Sequence, residues 1–246
     1  MSSLFNKSLF LISILLLVLI GLYTISNKSS EEKMRNQQYE LEGSDKEYQR
    51  RIHSLLDTIV ELNSSLGKDV SSNLLPPLSI DEIIKECSWY PDKIPLEVIA
   101  LYTWSGGSKY HVEHPLWFRD NIFCTLDKAK EEYEITNKYY APASGFKEVI
   151  DLLKFCFPIG SFEGSVYVIP TQGHYFKSSC KKPIISVFEG VDFFYDSLES
   201  MIRTQIALLK WEIDQLSNSS FNIEDVEKES EIIKSINKDF LSDSNF

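Results

Sequence analysis

The sequence predicts an α+β domain with an antiparallel or mixed sheet packed by helices, preceded by an apolar leader and a helical stalk. Three observations carry this. Stretches with their own helix start and stop signals dominate residues 79–155. Short runs rich in β-branched and aromatic residues, bounded by Gly and Pro, fill residues 155–195. Helical spacing then returns from Ser197 onward. Helices and strands are therefore grouped in the chain instead of alternating, which argues against a doubly wound parallel sheet.

The chain opens with a greasy segment. Leu9 to Ile25 is a run of 17 residues without a charge, at the lower edge of what spans a bilayer as a helix. Three readings are open: a retained anchor, a cleaved signal, and a buried helix. The anchor is favoured because the apolar run is long for a signal, Thr24-Ile25-Ser26 is a poor cleavage site, and no cysteine follows for lipid attachment. Lys28, Lys33 and Arg35 lie just after the segment and only Lys7 before it. That bias puts the body on the cytoplasmic side of a single-pass membrane protein.

Residues 28–75 are expected to form a stalk and linker. Ile52, Leu55, Ile59, Leu62 and Leu66 step by three and four, the spacing of a coiled-coil seam. A homo-oligomer through this stalk is one expectation; a single amphipathic helix packed on the body is the other. Ser71-Ser72-Asn73 and Pro76-Pro77 break the helix and mark the start of the main domain, 76–215.

Within that domain Ser79 caps a short helix with Asp81 and Glu82 in its first turn. Pro95 opens a second, PLEVIALYTW, and Gly106-Gly107 ends it. Asn121 to Cys124 forms a short strand, after which Thr125 caps a helix whose inner side carries Leu126, Ala129 and Tyr133. Ser144 to Phe155 is helical. Strands follow at 155–159, 165–169 and 184–188, with a hairpin at Phe188-Glu189-Gly190-Val191 returning through Tyr195. The closing helix carries Leu198, Met201, Ile202, Ile206, Leu209 and Ile213 at helical spacing. Residues 216–246 are acidic and Ser/Asn-rich; their one helical stretch, near Ile223 to Phe240, is weakly marked, and the segment is expected to be a mobile tail.

Net charge is −11 over 246 residues. Such a chain repels nucleic-acid phosphates, so no nucleic-acid partner is expected. A basic protein partner would instead be drawn to it. Cys87, Cys124, Cys156 and Cys180 are far apart with no CxxC pair, which fits buried free thiols in a reducing compartment.

No motif for chemistry stands out. His111-Val112-Glu113-His114 offers two histidines three apart, but beside Pro115 and after two glycines it belongs in a loop, and it lacks HExxH spacing. There is no GxSxG elbow, no Walker loop and no GxGxxG. The sequence is thus expected to catalyse nothing and to hold no cofactor or metal. Its aromatics are more telling. Trp104, Tyr110 and Trp117 crowd one loop-bearing segment, and loop Trp and Tyr are common interface anchors. With Glu163, Glu189 and Asp192 as acidic contacts, they are the candidate partner-binding residues.

Four segments resemble the SMI1/KNR4 (SUKH) superfamily. Ile94-Pro95-Leu96-Glu97-Val98-Ile99-Ala100-Leu101-Tyr102 with Gly106-Gly107 is similar to its opening helix and glycine turn. Phe123-Cys124-Thr125-Leu126-Asp127-Lys128-Ala129 is similar to its strand and acidic helix start, and Phe157-Pro158-Ile159-Gly160 with Gly164 to its Pro-Ile strand. Pro183 to Val187, Phe194, and Asp196 to Ile202 resemble its last strands and helix. The likeness spans residues 76–212. It departs where Ser105 replaces the usual Asn and Gly164-Ser165 the usual Gly-Asp. The resemblance implies an α+β fold and function by binding: as an immunity-type protein that occludes a toxin domain, or as a membrane-anchored scaffold or regulator of envelope and cell-wall processes.

Overall fold

The computed structural model describes residues 41–140, 151–171, 182–188, 190–218 and 224–237. The expected anchor at 9–25, most of the expected helix at 144–155, and Cys180 and Glu189 lie outside them. Among the described residues no helix is long and apolar enough to cross a membrane.

The α+β expectation holds. Six strands form one antiparallel meander in chain order: β1 (Trp117–Phe118), β2 (Asn121–Phe123), β3 (Cys156–Phe162), β4 (Ser165–Pro170), β5 (Ile184–Phe188) and β6 (Gly190–Tyr195). The helices are α1 (Gly43–Ser65), α2 (Ile80–Glu86), α3 (Leu96–Trp104), α4 (Leu126–Ile135), α5 (Leu198–Asn218) and α6 (Glu224–Ile236); α4 packs on β3, and α5 on β1 and β6. One face of the sheet buries Val166, Val168, Ile185 and Val187 with Leu152, Leu153 and Cys156. Tyr167, between two of those valines, points to the other face, where its ring meets Tyr195 edge-on at 6.2 Å.

Turn chemistry sets the register. Glu163 and Gly164 form the two-residue β3–β4 turn with φ of 48° and 88°, positive at both central positions as a tight hairpin requires. β3 runs through Ser161 and Phe162, so these belong to the strand and not to a longer turn. Pro158 has no N–H to give, and the register shifts between Pro158 and Gly160.

The capping expectations are met at two helices. The Ser79 side chain accepts from Glu82 N while Glu82 accepts from Ser79 N. Thr125 accepts from Lys128 N at 3.2 Å. The end of α3 differs from expectation. Its C-cap is Ser105 in extended conformation, not a glycine. The glycines serve close approach instead. A Cβ on Gly107, at φ 112°, would lie 2.6 Å from Cys124 O, and one on Gly106 2.8 Å from Pro76 O.

From Glu42 on, the stretch expected as a stalk is part of the body; residues 28–40 of it lie outside the described residues. Glu42–Phe246 forms one compact unit, and within it α1 packs against α3 and α5. Ile52, Leu56, Ile59 and Asn63 are its buried positions; Leu55, Leu62 and Leu66 are half-exposed. The buried stripe steps 4, 3, 4, the same alternation a coiled-coil seam shows, but with Leu56 and Asn63 in place of Leu55 and Leu62, and α3 and α5 of the same chain cover it. Each fully buried aliphatic here contributes about 1.5–3 kcal/mol as an upper estimate. A polar stripe beside it adds specificity. Gln49 donates to Thr103 Oγ1 at 2.6 Å, and His53 Nε2 lies 2.9 Å from Ala100 O. A carbonyl only accepts, so Nε2 carries the proton.

The tail expectation is also corrected in part. Residues 224–236 form α6, which packs on α5. Just beyond, Asn237 is buried, with Oδ1 accepting from Asp196 N and Nδ2 donating to Thr204 Oγ1, both at 3.2 Å. A buried amide with its donors and acceptor satisfied fixes a helix that low hydrophobicity alone would leave loose.

Candidate functional site

An open cleft of about 580 Å³ forms where four elements converge. The end of α1 and the turn after it contribute Asn63, Lys68 and Val70. The loop before β1 contributes Glu113, β1 itself Trp117, and the β1–β2 turn Arg119 and Asp120. Phe162 comes from the end of β3, and Gln205, Leu209 and Glu212 from α5.

The loop that carries Trp117 is braced from both sides. Leu75 N donates to Gly107 O, Ser108 N to Phe123 O and Lys109 N to Asn73 O, all at 2.9–3.1 Å. Leu116 N donates to Ser108 Oγ, and Asn73 Nδ2 to His114 O. Such a loop holds its side chains in place before any partner arrives, which removes part of the ordering cost of binding.

Trp117 is half-buried and meets Phe162 edge-on, with ring centroids 4.8 Å apart and planes at 75°. Phe162 is 39% exposed. Among the described residues nothing accepts from the Trp117 indole N–H. The wall beside it is charged. Lys68 Nζ donates to Glu212 Oε1 at 2.8 Å, and Arg119 Nη2 pairs with Glu229 of α6 at 3.0 Å. Arg119 Nε also lies 3.5 Å from Asp120, and Arg119 N donates to Gln205 Oε1 at 2.9 Å.

Backbone conformation singles out the same region. The non-glycine residues with positive φ among those described are His111, Arg119 and Glu163. Each lies in the Trp117 loop or in a hairpin turn beside the cleft. Arginine at φ 57° is uncommon, and the Gln205 contact holds it there.

The structure separates the candidate binding residues. Trp117 faces the cleft, and Glu163 is exposed on the β3–β4 turn next to Phe162. Trp104 lies elsewhere, donating Nε1–H to Asp57 Oδ1 at 2.8 Å, so it ties α3 to α1. Tyr110 points inward. Its hydroxyl lies 3.3 Å from Cys124 Sγ and 3.4 Å from the carbonyls of Ile122 and Ser161, and burial pushes the phenol pKa upward. Asp192 stands in β6 opposite Ser186, on the far side of the sheet order. Phe162, Arg119 and Gln205 were not marked by the sequence. Phe162 ends β3 next to a tight turn, where nothing local shows which way its ring faces, and the other two gain meaning only when the β1–β2 turn meets α5.

The buried acid of α4 is engaged, and the buried thiols are inert. Glu132 is buried on α4, and its Oε1 accepts from Ser161 Oγ at 2.7 Å and Lys128 Nζ at 2.8 Å. Cys87, Cys124 and Cys156 are free and buried. Burial pushes the first two thiols up to about 12 and Cys156 higher still, so they are poor nucleophiles near neutral pH. His111 is exposed, while His114 is half-buried, its Nε2 3.8 Å from Glu113 Oε1. Among the described residues no group of three or more His, Cys, Asp or Glu is placed to hold a metal ion. No family model and no curated protein matches the chain.

Proposed function

We propose that this chain acts by binding another protein at the Trp117 cleft, tethered to a membrane through residues 9–25, and that it blocks its partner by occlusion, catalysing no reaction. The immunity-type mode implied by the SMI1/KNR4 resemblance is the form this takes: a toxin domain is covered where it enters the cytoplasm. One observation carries the reading. A partly exposed Trp–Phe pair stands on the wall of an open cleft whose loop is braced by backbone hydrogen bonds. Large aromatics in a fixed, partly desolvated setting are what dominate protein interfaces. The scaffold reading draws on self-association through the stalk, and it loses support because the apolar stripe of α1 is engaged by α3 and α5.

The test pairs protection with position. Cells expressing the full-length chain are challenged with a panel of toxin domains that act in the cytoplasm, and a photo-cross-linker replaces Trp117 or, as a remote control, Glu134. Protection that Trp117→Ala abolishes, with cross-links from position 117 and not 134, supports the proposal. Protection unchanged by Trp117→Ala, or equal cross-linking from both positions, overturns it.

A further inference from the structure

Resting on the docking reading above, we propose that the cleft takes an arginine from a basic segment of the partner, its guanidinium stacked on the Trp117 ring and forked onto the Glu113 and Asp120 carboxylates.

The charges at the cleft are not equivalent. Both wall cations are already engaged, Lys68 by Glu212 and Arg119 by Glu229. The carboxylates at the mouth are open to solvent: the Glu113 and Asp120 side chains are 90% and 67% exposed. Among the described residues Asp120 has only a long ion-pair contact, to Arg119 at 3.5 Å. Among the described residues Glu113 has only His114, at 3.8 Å, and that contact is an ion pair only when the imidazole is protonated. Charge still unsatisfied at the mouth is therefore negative, and Glu163 adds to it from the next hairpin turn. The whole chain carries −11, so a cation approaches down a favourable field.

Between the carboxylates in the chain stands Trp117, an aromatic face on which a cation gains from the ring quadrupole. Arginine suits both partners better than lysine. Its planar guanidinium stacks on indole and forks to carboxylate, and it loses less hydration than an ammonium. An anionic peptide or an anionic lipid surface would meet Glu113, Asp120 and Glu163 as like charges. A purely apolar helix would bury those carboxylates unpaired.

The experiment measures binding of an end-blocked hexa-arginine peptide to the detergent-solubilised full-length chain at about 0.15 M salt, by calorimetry. Saturable binding is expected. Trp117→Ala, which changes no charge, should weaken it roughly fivefold to tenfold. The double variant Glu113→Gln, Asp120→Asn should weaken it at least as much. Asp127→Asn with Glu134→Gln, which removes the same charge from α4, should change it less than about twofold. Each variant is first shown to melt as a single transition near the parent. Equal losses in the cleft and α4 variants would overturn the proposal, because the peptide would then be reading net charge alone. Hexa-lysine binding as tightly as hexa-arginine would overturn the arginine assignment. Absence of saturable hexa-arginine binding while cross-links still arise from position 117 would overturn this inference and leave the docking reading standing. Loss of position-dependent cross-linking removes both.

Discussion

Trp117 and Phe162 touch edge to face at 4.8 Å although they come from β1 and β3, with β2 lying between those strands in the sheet. The contact spans 45 residues of sequence, from the first hairpin to the tip of the second. Neither ring belongs to the fully buried core, so little of their area is lost to water when one is removed. Trp117→Ala is expected to lower stability by about 1 kcal/mol, the worth of an aromatic pair with partial burial. Its cost in partner affinity should be larger, about 2 kcal/mol or roughly 30-fold. Urea denaturation and binding titration on the same preparation separate the two. A stability loss of several kcal/mol would show that Trp117 is a core residue.

Glu132 is the buried acid that holds β3 to α4. Two donors, Ser161 Oγ and Lys128 Nζ, converge on one oxygen. Glu132→Ala would leave both without that acceptor, and Ser161 is itself buried. The expected loss is about 2 kcal/mol, with Glu132→Gln costing less because the amide oxygen still accepts from Ser161. Chemical denaturation of the two variants tests the order. A smaller loss for alanine than for glutamine would mean that desolvation of Glu132 outweighs its bonds.

Gly107 joins two constraints that only glycine meets. Its φ is 112°, and a Cβ there would press on Cys124 O and on Thr125 Cα and N at 2.6–2.8 Å, all backbone. Backbone cannot swing aside as a side chain can. Gly107→Ala should therefore cost about 3 kcal/mol or more, from strain and overpacking together. Gly67→Ala is the comparison: its φ is 74° but nothing lies within 4 Å of the added Cβ. The expected cost there is about 1 kcal/mol. Equal losses at the two positions would discount the steric part.

Stability should fall at both ends of the pH range. On the acid side, Asp69 is held low by the backbone N–H and hydroxyl of Ser72 and by Ser71. Glu82 is held low by the side chain and backbone of Ser79. At Glu199 burial pushes upward, and the hydrogen bonds from Arg203 and Arg51 outweigh it. A carboxyl lowered on folding stabilises above its unfolded value, about 4, and that contribution disappears as pH drops through the folded value. On the alkaline side, Cys87 and Cys124 are raised to about 12 by burial. Unfolded thiols ionise near pH 8.5, so the unfolded chain holds fewer protons above that and stability declines as pH rises. Urea midpoints measured from pH 3 to 10 should form a dome; Glu199→Gln should flatten the acid limb and Cys124→Ala the alkaline limb. Iodoacetamide at pH 8 should leave Cys87, Cys124 and Cys156 unlabelled in the folded protein and label them in urea. Rapid native labelling of Cys124 would contradict its burial.

Local chemistry made much of this fold legible. Ser79 and Thr125 cap helices because a short side-chain oxygen can reach an otherwise unpaired N–H, and that needs no tertiary contact. The strands at 156–162, 165–170 and 184–188 follow from β-branched and aromatic runs between Gly and Pro. What a neighbour decides was not legible. Ile52 could serve a coiled-coil seam or a globular face, because the two periods differ by a fraction of a residue per turn; packing on α3 and α5 selected Leu56 over Leu55. Nothing in the local sequence shows that Glu132 is buried; that follows from β3 bringing Ser161 against it.

The cleft divides in the same way. The sequence by itself placed Trp117 among loop aromatics and made the chain acidic, since residue type and net charge are properties of composition. Only the tertiary structure decided that Trp104 is bound to Asp57, that Tyr110 turns inward, and that Phe162 and Arg119 complete the wall around Trp117. Which side of an aromatic ring remains in contact with water depends on what the chain brings back from dozens of residues away, and no local pattern encodes that return.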